Sequence, residues 1–160
     1  MIYQPAVVRP LDRSYTTQDD AFDNARLPLA QRFIPVAGGA PFTAVVNHFK
    51  SKGCGDATGP NADQRDGQGC WNADRVEQAQ ALLDFMATLD GEDFLVIGDL
   101  NSYGEEDPID VLEAAGYVDT VDANLAENDQ YSYVFSGQAG YLDHALVSPH
   151  LARRVTGLDI

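Results

Sequence analysis

"VIGDLNSYGEEDP", residues 96–108, decides how the chain is to be read. It continues the apolar run "FLVIG", Phe94 to Gly98. A short run of that kind is expected of a strand covered on both faces. The strand leaves the core through Gly98 into Asp99, Leu100 and Asn101. Strand alternation places Asp99 and Asn101 on the same side, at the exit. A carboxylate and an amide so placed can hold a hard cation and orient an oxygen nucleophile. The same Asx pair can instead cap a turn or a helix. Asp107 and Pro108 then open a helix, a cap followed by proline at the first helical position, and Gly116 stops it.

Upstream, residues 73–89 carry the best helical pattern. Val76, Ala79, Leu83, Met86 and Leu89 recur at three- and four-residue steps, with Asn72 as the expected N-cap. Before the helix, Phe42 to Phe49 predicts a buried strand, paired antiparallel with Ala30 to Val36 across the turn Gly38–Gly39. Ile2 to Val8 predicts a short apolar strand broken by Pro5, and residues 11–26 are polar and turn-rich. Downstream, Tyr131 to Phe135 and Tyr141 to Val147 alternate around the turn Ser136–Gly140, which predicts a hairpin. The class is α/β with a mixed or antiparallel sheet, without an internal repeat.

Composition narrows the function. One domain is expected at 160 residues. Hydrophobic residues make 44% and charged residues 22%, which excludes a disordered chain. No apolar run approaches the length of a membrane-spanning helix. No secretory signal pattern opens the sequence. The net charge is −15 and the pI is near 4.2, against a protein that holds nucleic acid by bulk charge. An enzyme that meets phosphates through bound cations needs clustered carboxylates and stays open.

Cys54 and Cys70 lie in the glycine-rich segment 51–71, a stretch that cannot pack a core. Their spacing does not suit zinc, which wants a near partner for each cysteine. A disulfide closing the loop fits, and implies an oxidising, secreted or periplasmic setting. Two free thiols on a surface insertion are the other reading.

Four further positions carry chemistry. His48, at the exit of the strand in "VVNHFKSKG", can donate to a phosphate oxygen, with Lys50 and Lys52 after it; it can also be a plain surface histidine. Asp143 breaks an apolar strand in "GYLDHALVS". Buried, it would need a histidine, an arginine or a metal as partner, and His144 points to the opposite face; backbone bonding at a strand edge is the alternative. Arg26 could bring its planar fork to a phosphate, and Tyr3 its phenol; loop exposure and simple packing are the bland accounts of these two.

Taken in order, Tyr3 in "IYQP", Arg26, "VVNHFKS", an amphipathic helix, "VIGDLNSY", a helix, "YSYVFSG" and "YLDHALVS" resemble the endonuclease/exonuclease/phosphatase, or deoxyribonuclease I-like, family. The wording of "VVNHFKSKGC" and "YLDHALVS", with the cysteine insertion, is most similar to its bacterial extracellular nuclease branch. The resemblance implies part of a four-layer α/β sandwich with mixed, mostly antiparallel sheets, as a single partial domain over 1–160. It implies that His48 contacts the scissile phosphate. Asp99 would orient or activate the attacking water beside the metal, and Asn101 would assist. Asp143 would pair with a catalytic histidine, and Tyr3 and Arg26 would contact phosphate. The implied reaction is phosphodiester hydrolysis with Mg²⁺ or Mn²⁺, Ca²⁺ being a further candidate, on extracellular nucleic acid, DNA favoured. No membrane partner is implied.

The pattern also departs from the family. Neither its early-strand metal-binding glutamate nor its C-terminal Asp-His motif has a match, and His150 stands in the wrong context for the latter. An incomplete domain is therefore expected, inactive or nearly so by itself, with a sheet face free for a homodimer. A phosphatase of the same fold acting on a phospholipid or inositol phosphate, and a non-catalytic binding module, are the alternative functions.

Overall fold

The computed structural model describes residues 1–135 and 137–158. Its chain order is β1 (Val8–Tyr15), β2 (Arg26–Pro35), β3 (Phe42–His48), α1 (Asn72–Ala87), β4 (Phe94–Asp99), α2 (Asp107–Ala114), β5 (Val118–Asp119), α3 (Thr120–Asn124), β6 (Tyr133–Phe135), β7 (Gln138–Gly140), β8 (Asp143–Val147) and α4 (Pro149–Ala152). Six strands form one sheet in the order β1-β2-β3-β4-β8-β5, and β6 and β7 make a separate ribbon. Among the described residues, β3 and β4 are the one parallel pair in the large sheet. Parallel neighbours need a long crossover; the loop after His48 and α1 supply it. The mixed, mostly antiparallel sheet expected from the sequence is therefore present.

One sheet face is covered by α1 and α2. Ala30, Val45, Val96 and Leu146 lie on it and join Leu82, Phe85, Met86, Ile109 and Leu112 in a single core. On the other face Leu29, Val46, Ile97 and Ala145 pair across four strands and are half-buried. Gly98 is required by close approach. At φ +127° its added Cβ would stand 2.1 Å from the Asn47 carbonyl oxygen, so no other residue lets β4 leave the sheet by this path.

Several expectations are corrected. The first strand is Val8–Tyr15, not Ile2 to Val8, and so takes in part of the stretch expected to be turns. It is an edge strand with mostly exposed side chains, so nothing demands apolar alternation there. Helix α1 buries Arg75, Gln78, Ala79, Ala81, Leu82, Phe85 and Met86. Of the expected face, Ala79 and Met86 are buried and Leu83 and Leu89 pack half-buried against the core, but its centre lies toward Leu82 and Phe85, and the buried polar residues Arg75 and Gln78 stand where apolar markers would have shown it. Asn72 is inside the helix rather than its N-cap, which is Trp71 in the left-handed conformation. Glu106, not Asp107, caps α2. The hairpin joins β6 to β7, whereas β8 pairs with β4 and β5. Part of its expected turn, Ser136, lies outside the described residues.

Candidate active site

Four of the singled-out side chains stand in register on one face. Arg26 of β2 pairs with His48 of β3, His48 with Asp99 of β4, and Asp99 with Asp143 of β8. Directly paired residues share a face, so these four form a row across the sheet, one step beyond Leu29, Val46, Ile97 and Ala145. Arg26 owes its place to a bulge. From Arg26 to Leu29 three steps on β2 oppose two on β3, and the extra residue re-aims the arginine. His48 Nε2 stands 3.8 Å from Asp99 Oδ2, with both side chains about a third exposed.

Asn101 enters differently from the expected strand alternation. The strand ends at Asp99, and Asn101 has φ 49°. Its N–H donates to Asp99 Oδ1 at 2.8 Å and its Nδ2 donates to the Phe49 carbonyl at 3.0 Å. This is an Asx turn. It anchors Asp99 by one oxygen and leaves Oδ2 facing His48.

Asp143 is exposed, so the argument from a buried carboxylate does not apply to it. The buried pair is its neighbour's. His144 Nδ1 lies 2.8 Å from Asp119 Oδ2, and His144 Nε2 lies 2.8 Å from the Ser102 carbonyl oxygen. Both ring nitrogens face oxygen atoms, so the imidazole is held at both ends. The Tyr141 hydroxyl donates to the same Asp119 oxygen at 3.1 Å; burial and the Asp119 charge raise its pKa. This network fixes the loop after Asp99 to β8. The sequence signal for it was Asp119 before Thr120, a helix cap whose carboxylate takes the Val121 N–H.

Tyr3 is not part of the row. Its ring packs on Phe33, centroids 5.3 Å apart, seven residues along β2 from Arg26, or roughly 23 Å at strand spacing. His150 pairs with Asp93, which also binds Arg154.

Cys54 and Cys70 form a disulfide. It closes a loop that is bolted to the core by Arg75, fully buried, whose guanidinium donates to the carbonyls of Cys70 and Gln68. Lys52 pairs with Glu106 across from Arg75. Burial lowers the pKa of Lys52 and raises that of Glu106, each opposed by the partner's charge. Lys50 and Lys52, the only lysines, lie over the rings of Trp71 and Tyr103 at 4.5 and 4.9 Å. Sequence reasoning had no account of Glu106, Arg75 or Tyr103.

The donors present suit a hard cation. Asp99 Oδ2 and Asn101 Oδ1 are oxygen donors that could hold one, and Mg²⁺ commonly takes one or two carboxylates and fills its shell with water and substrate phosphate. Among the described residues no group of three or more His, Cys, Asp or Glu is arranged to hold a metal by itself.

A family described as "Endonuclease/Exonuclease/phosphatase family" matches residues 9–160. No curated protein matches the chain. Among solved structures, an endonuclease/exonuclease/phosphatase family protein from Bacteroides thetaiotaomicron superposes with TM-score 0.62 at 16% identity, over 92% of this chain and 52% of that one. A mannosyl-6-phosphatase from Bacteroides thetaiotaomicron gives TM-score 0.63 at 15% identity, over 92% and 55%. D. rerio TDP2 complexed with a single-strand DNA product gives 0.58 at 13%, over 90% and 54%. The chain thus spans about half the length of the structures it matches, and at these identities the likeness is one of fold.

Proposed function

Since the chain belongs to the endonuclease/exonuclease/phosphatase family, we propose that its row of side chains serves divalent-metal-dependent hydrolysis of a phosphodiester in extracellular nucleic acid. The observation that carries this reading is the row Arg26–His48–Asp99–Asp143, four chemically apt groups on one face at the end of four strands. Enzymes of this family generally use divalent metals. Bound there, Mg²⁺ or Mn²⁺ would neutralise phosphoryl charge and lower the pKa of a coordinated water.

The chain's own residues divide the work. Asp99 Oδ2 and Asn101 Oδ1 would hold the cation, and the Asx turn keeps Asp99 from rotating away. Asp99 would also orient or activate the attacking water beside it. His48 donates a hydrogen bond to a non-bridging phosphate oxygen, where negative charge grows in the transition state. Arg26 presents its fork to the same phosphate from the neighbouring strand. Asp143 flanks Asp99 and is the group placed to pair with a catalytic histidine. The disulfide supports a secreted or periplasmic setting, since such bonds persist in oxidising compartments.

The test is incubation of the chain with supercoiled plasmid and Mn²⁺ or Mg²⁺, alongside Mn²⁺ binding followed by paramagnetic broadening. The expected result is broadening centred on Asp99 and Asn101, with any nicking abolished by EDTA and by Asp99→Ala. Nicking that survives both controls, absence of Mn²⁺ at these residues, or turnover confined to phosphomonoesters would overturn the proposal.

A further inference from the structure

The ribbon of β6 and β7 stands beside the row and takes no part in the hydrolysis. Tyr131, Tyr133, Val134 and Phe135 are all exposed, Phe135 at 61%. A two-stranded ribbon with its large side chains in water gains little stability from them. The rings of Tyr133 and Phe135 lie within 9° of parallel, centroids 6.1 Å apart. They present two flat faces in one orientation.

The foot of the ribbon adjoins the site. Gly140 ends β7 and Asp143 opens β8. Tyr103, just past Asn101, lies against Gly140, where an added Cβ would come 2.6 Å from the ring. Between them opens a cavity of about 480 Å³ lined by Tyr103, Tyr141, Gln130, Glu105, Glu113 and Asp122. That volume is within the range of small-ligand sites.

Charge is divided across the row. Arg26 and Lys50 lie on the side of β2 and β3, and Lys52, paired with Glu106, marks the boundary over the Tyr103 ring, whereas residues 76–152 contain no Lys or Arg at all. Phosphates are favoured on the first side and up to that boundary. On the second, the aromatic faces and carboxylates suit a flat, uncharged group with N–H donors on its edge. Nucleobases have that chemistry: they stack on aromatic side chains, and the amino group of cytosine donates to Glu or Asp. Bases in a duplex are already stacked and paired, so unpaired ones fit better. A lipid surface would instead call on several Lys and Arg, and β6 and β7 themselves carry none.

We propose that β6 and β7, with Tyr131 and the cavity at their foot, form a stacking platform for the unpaired bases of a single-stranded nucleic acid. The phosphodiester of that strand lies on the row; in this respect the platform rests on the phosphodiester reading. The strand runs with its backbone toward β2 and β3 and its bases toward the ribbon.

The test is equilibrium binding by fluorescence anisotropy, in EDTA so that nothing is cleaved. The probes are a short oligodeoxycytidylate and an abasic strand of the same length. The base-bearing strand is expected to bind more tightly, and each ring removed is expected to weaken it about tenfold. Tyr133→Ala with Phe135→Ala should bring its affinity to that of the abasic strand, while Tyr133→Trp with Phe135→Trp keeps it. Both positions are exposed, so an unchanged thermal midpoint checks the fold. Equal affinity for the two strands, unchanged binding by the double alanine variant, or rings that bind phosphatidylcholine vesicles in place of the oligonucleotide would overturn the platform. Mn²⁺ broadening at Asp99 and Asn101 is scored separately. Base-dependent binding without Mn²⁺ at these residues sinks the phosphodiester reading and leaves the platform; Mn²⁺ bound there without base preference does the reverse.

Discussion

His144 and His48 both sit beside an aspartate on the same sheet, one residue layer apart, and they are held in opposite ways. His144 and Asp119 are sealed in the core at 2.8 Å, with Tyr141 and the Ser102 carbonyl completing the shell. His48 and Asp99 are 3.8 Å apart and open to water. The first pair has every polar atom engaged and nothing left for a substrate. The second keeps unsatisfied capacity where a phosphate can reach it. The same two side-chain types therefore act as a strut in one layer and as a reactive edge in the next, and burial makes the difference.

The comparison can be broken most sharply at the strut. His144→Ala strands Asp119 in the core, and removing one partner of a buried pair costs roughly 3–5 kcal/mol. Urea unfolding should show that loss. His48→Ala, measured the same way, should move stability by less than about 0.5 kcal/mol, as surface changes do. A large stability loss at His48 or a small one at His144 would dissolve the distinction. Activity should reverse the order: in whatever form of the protein is active, His48→Ala should lower turnover by on the order of 10²-fold, the scale of removing one transition-state hydrogen bond.

A smaller effect sharpens it. Tyr141→Phe removes one hydrogen bond to Asp119, at about 1 kcal/mol, and should alter the response to alkali. Burial raises the pKa of Tyr141 and pushes that of Tyr117 up to about 12. In the unfolded chain both ionise near about pH 10. As pH rises from there, the folded state retains protons that the unfolded state releases, so stability falls until the folded groups ionise too. Urea midpoints should drop over that window, and less steeply in Tyr141→Phe than in the parent. An equal slope in both would remove Tyr141 from the buried network. Least affected should be the third pair, His150 with Asp93. Arg154→Ala leaves His150 in place and should cost under about 1 kcal/mol.

How much of this was legible in the sequence follows the same division. The central strands β3 and β4 were plain because both carry apolar runs, and His48 and Asp99 were found because they end those runs. Asp143 is harder to read: apolar neighbours suggest a buried carboxylate and the strand edge is the alternative, and it opens β8 at the exposed rim. His144, the buried member, looked ordinary because its partner Asp119 lies 25 residues away in a strand of two residues. Edge strand β1 was hidden by its polar surface. Helix α1 and part of its inner face are legible, but Arg75 and Gln78 are not, because they satisfy loop carbonyls and backbone amides rather than apolar neighbours. Long-range polar partnerships have no local periodicity, so local pattern cannot reveal them.

The uneven placement of basic residues also governs digestion by a protease that cuts after Lys and Arg. From 76 to 152 there is nothing for such an enzyme to cut. Arg75, at the near border, is fully buried. A cut at Arg65, which is exposed, falls inside the loop closed by Cys54 and Cys70, so the two pieces stay joined. Asp99, Asn101, Asp143 and the aromatic ribbon would thus survive together on one uncut stretch, and reduction would have to precede digestion before the nicked loop came apart.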